Sequence, residues 1–217
     1  GSGEITNYPL LKYISKKFKK IILSTGMANI SEIKKAIKIL KTKVNDVYIM
    51  HCNSNYPTKL EDVNLNTIKF LKRELKLNIG FSDHTISTET GKLAVACGAK
   101  ILEKHFTFSN RAIGPDHKMS LNPAKLKNYI YQVNSVSKIL GLEKKILNVK
   151  ELKMIKFARR GVVAKKNLKK GSRVNLQNFT FKRPCIGIPC ENFHLYKGKK
   201  LKKKINHDEN LRVAHLQ

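Results

Sequence analysis

Apolar and polar positions follow two alternating periods along the first two thirds of the chain. Short apolar runs at 21–23, 47–50, 78–81 and 100–102 each predict a strand. Between them the apolar residues recur at helical spacing, as Ile33, Ala36, Ile37 and Leu40, then as Leu65, Ile68, Leu71 and Leu75. A third such stretch passes through Leu93, Ala94 and Ala96 and stops at Gly98. Ser31 is expected to cap the first helix. Asn122-Pro123 should open a long amphipathic helix, with Leu126, Ile130, Val133, Val136 and Leu140 on one face and Gly141 as its stop. The strands read as buried on both faces, so parallel pairing is expected. Four βα units in residues 1–141 are half of an eight-stranded (β/α)8 TIM barrel, which needs about 250 residues. The expectation is therefore the C-terminal half of such a barrel. Gly1 to Glu4 reads as the end of an earlier strand, with the other barrel half outside this sequence.

Residues 142–157 are charged and loosely helical, as a linker would be. Beyond them the texture changes. Val162-Val163-Ala164, the turn at Lys169-Lys170-Gly171 and the run 179–182 predict a small β-rich domain over 158–217.

Composition adds little to the fold but narrows function. A hydrophobic content of 41% is ordinary for a globular chain. No apolar run is long enough to span a bilayer and no signal pattern opens the sequence, so a cytoplasmic protein with no membrane partner is expected. The four cysteines show neither C-x-x-C pairing nor a disulfide framework, and Cys97 reads as a packed thiol on a helix face. A formal charge of +29 raises nucleic-acid binding, because clustered Lys and Arg release counterions from phosphate. The lysines fall on solvent faces (Lys34, Lys35, Lys38, Lys41) or in loops (Lys199, Lys200, Lys202 to Lys204), without interleaved aromatics to stack bases. A lysine-rich surface over an ordinary fold is the simpler account, and its field would draw in small anions.

The chemistry sits where the strands end. Ser24-Thr25-Gly26, His51-Cys52-Asn53-Ser54, Ser82-Asp83-His84-Thr85 and Glu103-Lys104-His105 each follow an apolar run. Ligand-capable residues at the carboxyl ends of successive parallel strands are how α/β barrels build active sites. His84 and His105 end neighbouring strands, so both imidazoles can converge on one point and, with water or substrate oxygens, suit a divalent transition metal. Asp83 or Glu103 is placed to accept a hydrogen bond from a histidine and fix its tautomer. Ser24, Ser54 and Ser82, with the amides that follow them, can hold a phosphate or simply cap turns. Asp116, in the tight loop Gly114-Pro115-Asp116-His117, can take a sugar hydroxyl or cap its turn. His51 reads as a packed strand-end residue, and His117, His194, His207 and His215 show no partner pattern.

Gly3-Glu4-Ile5, Ser24-Thr25-Gly26-Met27, the run 51–57 (HCNSNYP), Glu61 to Leu65, the run 80–85 (GFSDHT), Glu103 to Thr107 and Gly114 to Lys118 resemble the sialic acid synthases in order and spacing. The tail, with Val162-Val163-Ala164, Leu168 to Gly171 and Phe181-Lys182-Arg183-Pro184, resembles that family's antifreeze-like SAF domain of β-clip type. The resemblance covers nearly the whole chain. It implies condensation of phosphoenolpyruvate with an N-acetylhexosamine, typically N-acetylmannosamine, giving N-acetylneuraminate and phosphate. It implies a divalent cation, usually Mn2+, on His84 and His105, and proton transfer or water orientation by Glu4. Ser24, Ser54 and Ser82 would contact phosphoenolpyruvate, and Tyr56 and Asp116 the acceptor sugar. Arg183 would reach the acceptor in the partner's site of a homodimer with swapped SAF domains. Two departures stand out: Ser54 where some relatives have asparagine, and Cys185 where family tails usually carry glycine. The resemblance also implies that this chain, without the preceding barrel half, is weak or inactive alone. A legionaminate or pseudaminate synthase is the alternative within the class. A non-catalytic carbohydrate-binding or oligomerisation fragment is the alternative outside it, and would release no phosphate in a manganese-dependent way.

Overall fold

All four predicted strands form, and each runs to the polar residues that follow its apolar run. They are β1 (Lys20–Ser24), β2 (Asp46–His51), β3 (Asn78–Asp83) and β4 (Leu102–Lys104) in a computed structural model that describes residues 1–217. The sheet is parallel in the order β1-β2-β3-β4, with Ile21 opposite Val47, Ile49 opposite Ile79 and Ser82 opposite Glu103. It curls as half of a (β/α)8 barrel. Strand β4 lies later than its apolar run suggests. Its backbone bonding begins at Lys100, whose N–H donates to Ile79 at 2.8 Å, but regular pairing starts at Leu102 and takes in Glu103 and Lys104.

Helices α2 (Ile30–Leu40), α3 (Asn66–Leu75), α4 (Thr90–Ala96) and α5 (Pro123–Leu140) connect and follow the strands. Strand alternation sends Ile21, Leu23, Val47, Ile49, Ile79 and Phe81 into a core shared with Ile33, Ala36, Leu40, Ile68 and Leu71. The expectation of two buried faces fails for β1, where Lys20 and Ile22 are exposed on the other face. Asn29, not Ser31, caps α2. Its side chain accepts the Glu32 N–H at 3.0 Å while Glu32 accepts the Asn29 N–H at 2.8 Å, so two orphan donors of the first turn are satisfied reciprocally. Residues 2–4 form a turn of 3-10 helix rather than a strand end, with the Glu4 N–H on the Gly1 carbonyl at 3.0 Å. Helix α1 (Tyr8–Lys17) adds to the expected elements, with Asn7 as its cap and Pro9 in its first turn. It buries Leu11 and Ser15.

The first compact unit is Gly1–Gly141 and the second Leu142–Gln217. Within the second, the stretch expected as a linker contains a capped helix, α6 (Val149–Ala158), none of whose residues is buried. The antiparallel pair β5 (Gly161–Ala164) and β6 (Phe179–Lys182) is extended by isolated bridges Val163 to Asn210, Leu168 to Ile205 and Leu201 to Leu216. A single turn, α7 (Phe193–Tyr196), closes over a core of Val162, Val174, Phe179, Leu201, Ile205 and Leu211. No helix of the chain is long and apolar enough to cross a membrane.

Candidate active site at the strand ends

The carboxyl ends of β1 to β4 and the loops after them surround a cavity of about 420 Å3, lined among others by Ser24, Ser54, Tyr56, Ser82, His84 and His105. Period-two alternation decides which polar residues enter it. Along β3 and the residue after it, Ser82 and His84 face the cavity and Asp83 faces away; along β4 and the residue after it, Glu103 and His105 face it and Lys104 faces away. The His84 and His105 ring centroids lie 5.5 Å apart at an interplanar angle of 80°. Tyr56 packs its ring 4.2 Å from His84 and 5.6 Å from His105.

His84 has a defined tautomer. Its Nδ1 lies 2.6 Å from the Asn53 carbonyl oxygen, an acceptor only, so Nδ1 carries the proton and donates. Nε2 lies on the cavity side, 3.1 Å from Ser82 Oγ. The Ser82 hydroxyl donates to Glu103 Oε1 at 2.6 Å. The carboxylates expected to orient the histidines do otherwise: Glu103 takes the serine, and Asp83 faces away from the cavity. Asp116 lies nearest a ring instead, with Oδ2 at 3.9 Å from His105 Nδ1 and its side chain 60% exposed. Burial, then the neighbouring Cys52, Asp116 and Glu103, push the Tyr56 hydroxyl above its ordinary range and keep it a proton donor.

The turn after β1 is built by close approach. The Gly26 N–H donates to Ser2 Oγ at 2.9 Å and to Cys52 Sγ at 3.1 Å, and a Cβ at position 26 would sit 2.2 Å from Ser54 Oγ. Only glycine leaves room for that serine. Ser2 and Cys52, with no role expected from sequence, therefore join the wall, and Glu103, expected to accept from a histidine, joins it as the acceptor of Ser82. For Glu103 a signal existed, since it stands two residues before His105 on one strand face.

Two further expected residues lie differently. Glu4 is exposed and accepts from Asn7 Nδ2 at 2.7 Å, while Gly1, Ser2 and Gly3 line the cavity. Arg183 belongs to the second unit, exposed just past β6, with a cis Arg183–Pro184 peptide. A cation would be held by His84 and His105 alone, since no group of three His, Cys, Asp or Glu side chains converges. Two imidazoles facing the cavity, one with its Nε2 on the cavity side, fit a divalent ion that completes its shell with oxygens from water or substrate.

The NeuB family model matches residues 1–145, and the SAF domain model matches residues 159–217. The chain is 42% identical over 214 residues to an N,N'-diacetyllegionaminic acid synthase of Campylobacter jejuni, covering 97% of this chain and 64% of that protein. Among solved structures it is similar to spore coat polysaccharide biosynthesis protein E of Chromobacterium violaceum, with a TM-score of 0.78 and 27% identity over 100% of this chain and 66% of the other. It is also similar to the N-acetylneuraminic acid (sialic acid) synthetase of Leptospira borgpetersenii, with a TM-score of 0.66 and 37% identity over 71% of this chain and 54% of the other. The chain thus spans less than two thirds of the length of the curated relatives it matches. With its parallel half-barrel, its polar residues gathered at the strand ends and its SAF domain, the chain belongs to the NeuB family.

Proposed function

We propose that the protein containing this chain condenses phosphoenolpyruvate with an N-acetylated hexosamine to give a sialic-acid-type sugar acid and phosphate. The observation that carries this reading is two imidazoles 5.5 Å apart over a cavity rimmed by serine hydroxyls. The enolpyruvyl group is a weak nucleophile, so alignment against the acceptor aldehyde is the first requirement. Ser24, Ser54 and Ser82 would bind the phosphate and carboxylate of phosphoenolpyruvate. Tyr56, packed against His84, and Asp116, beside His105, would orient the acceptor. A divalent cation such as Mn2+, bound by His84 and His105, would supply Lewis-acid polarisation of the acceptor carbonyl. Glu4 is offered as a proton-transfer residue by family resemblance, and Glu103 stands nearer the serine and histidine. By the same reading Arg183 serves the acceptor site of a second copy in a homodimer.

N-acetylmannosamine, giving N-acetylneuraminate, is one acceptor. An N,N'-diacetylated acceptor of the legionaminate kind is the second, favoured by the 42% identity to a protein of that activity. Phosphate release from phosphoenolpyruvate tests the reading, measured with each acceptor, with and without Mn2+, on this chain alone and mixed with the remaining portion of a longer relative. Activity is expected in the mixture, dependent on metal, and His84→Ala should lower it ~100-fold or more. Metal-independent release, or none in the mixture with either acceptor, would overturn the reading.

A further inference from the structure

Asp83 and Lys104 form the one ion pair in the chain with both members buried. Their charged atoms are 3.0 Å apart, and the side chains are 0% and 4% exposed. Neither lines the cavity. Asp83 precedes His84 and Lys104 precedes His105, and the two are register partners on the last rung of the β3–β4 ladder. Past that rung the sheet no longer holds the histidines together. The His84 carbonyl accepts from Thr58 N and the His105 carbonyl from Leu121 N, so each backbone is tied to a different element.

The pair closes that gap. Asp83 Oδ1 accepts from the Thr85 N–H at 2.9 Å and from Thr85 Oγ1 at 2.8 Å, and Oδ2 accepts from Thr90 Oγ1 at 2.5 Å. The Lys104 ammonium donates to the Thr85 carbonyl as well as pairing with Asp83. One ammonium thereby grips the residues on both sides of His84, while its own backbone leads directly into His105. We propose that the buried Asp83–Lys104 pair is a positioning device that sets the spacing of the two cavity imidazoles from behind the sheet. This rests on His84 and His105 acting as the cation's protein ligands. An apolar pair would fill the same volume, and buried ion pairs are often replaced by hydrophobic residues without loss of stability. Directional bonds to both flanks of one histidine supply what shape alone does not.

The test uses the full chain, with Lys104→Met and the double variant Asp83→Leu/Lys104→Met. Mn2+ alone is titrated by calorimetry, and the histidine rings are followed by long-range 1H–15N NMR. Electrostatics has the opposite sign to the proposal: removing a nearby cation should tighten Mn2+ binding. Positioning instead predicts at least tenfold weaker Mn2+ binding in Lys104→Met, with displaced His84 and His105 ring signals. The double variant should regain thermal stability without regaining affinity or the wild-type ring signals. Unchanged or tighter Mn2+ binding in Lys104→Met with unmoved rings would overturn the proposal, as would full recovery of affinity in the double variant. If Lys104→Met does not fold, the double variant decides. If the wild-type chain binds no Mn2+, the metal reading fails separately, and the ring signals alone judge the pair: moved rings support it and unmoved rings reject it.

Discussion

The two units use burial for different ends. Eleven of the twelve buried polar or charged side chains lie in the first unit, among them Thr25, Ser82, Asp83, His84, Thr85 and Thr90; the second unit has one, His215. A buried polar group costs free energy unless it is fully hydrogen-bonded. The first unit meets that condition by pairing Asp83 with two threonines and a lysine and Ser82 with Glu103. The Gln132 side-chain oxygen is the exception, buried without a partner. The buried Tyr129 hydroxyl lies beside Asp83, and burial together with that carboxylate raises its pKa, so it stays neutral. A Cβ on Gly91 would meet that hydroxyl at 2.1 Å, so the helix α4 backbone passes as close as glycine permits. The second unit is apolar inside and charged outside, with Glu143, Glu151, Glu191, Asp208 and Glu209 as its only acidic residues. Buried polar groups thus concentrate in the unit that carries the candidate site, while the interior of the second unit is chiefly apolar.

Core truncation in the second unit should sharpen that contrast most. Phe179 is fully buried beside Val162 and Leu201, and Phe179→Ala is expected to cost about 3–5 kcal/mol. In urea denaturation followed by CD, only the part of the transition belonging to the second unit should move, while the His84 and His105 ring signals stay in place. Loss of those signals would break the separation of roles.

Acidification should produce a smaller effect in both units. Burial is the main cause lowering the pKa of His51, which bonds to the Val63 carbonyl, and of His215, where Lys203 adds to it. The folded values lie below the ordinary value of 6.5, so protonation favours the unfolded chain. This contribution is fully present above pH 6.5 and declines as pH falls through 6.5 toward the folded values. Urea midpoints at pH 8, 6 and 5 should therefore fall, and His51→Gln should flatten the part of the decline that belongs to the first unit. An equal decline in that variant would remove His51 as its source.

The smallest difference concerns two identical capping boxes. Asn29 with Glu32 and Asn148 with Glu151 start α2 and α6 in the same way. Helix α2 buries Ile33, Ala36, Ile37 and Leu40, whereas α6 buries nothing. Asn29→Ala should cost ~1 kcal/mol of global stability. Asn148→Ala should leave the urea midpoint unchanged and raise amide exchange only within α6.

The strands were legible because apolar runs ending in polar clusters have a strong period, and helix α5 because Asn122-Pro123 and Gly141 mark its limits. Helix α1 leaves a weaker pattern, since Leu11 is the one apolar residue it buries fully. Strand β4 was set early because Glu103 and Lys104 are polar, while parallel pairing depends on backbone groups and not on side-chain polarity. Both histidines could be assigned to one end of the sheet from sequence. Their partners could not.

The order of elements, the parallel half-barrel and the presence of His84 and His105 at neighbouring strand ends follow from the residue pattern, because periodicity and strand order are local and topological properties. Tertiary structure alone decided that Asn53 fixes the His84 tautomer, that Glu103 rather than Asp83 enters the cavity, and that Asp83 and Lys104 meet behind it. Those outcomes depend on register and on contacts across 20 or more residues, where a shift of one position turns every side chain to the opposite face.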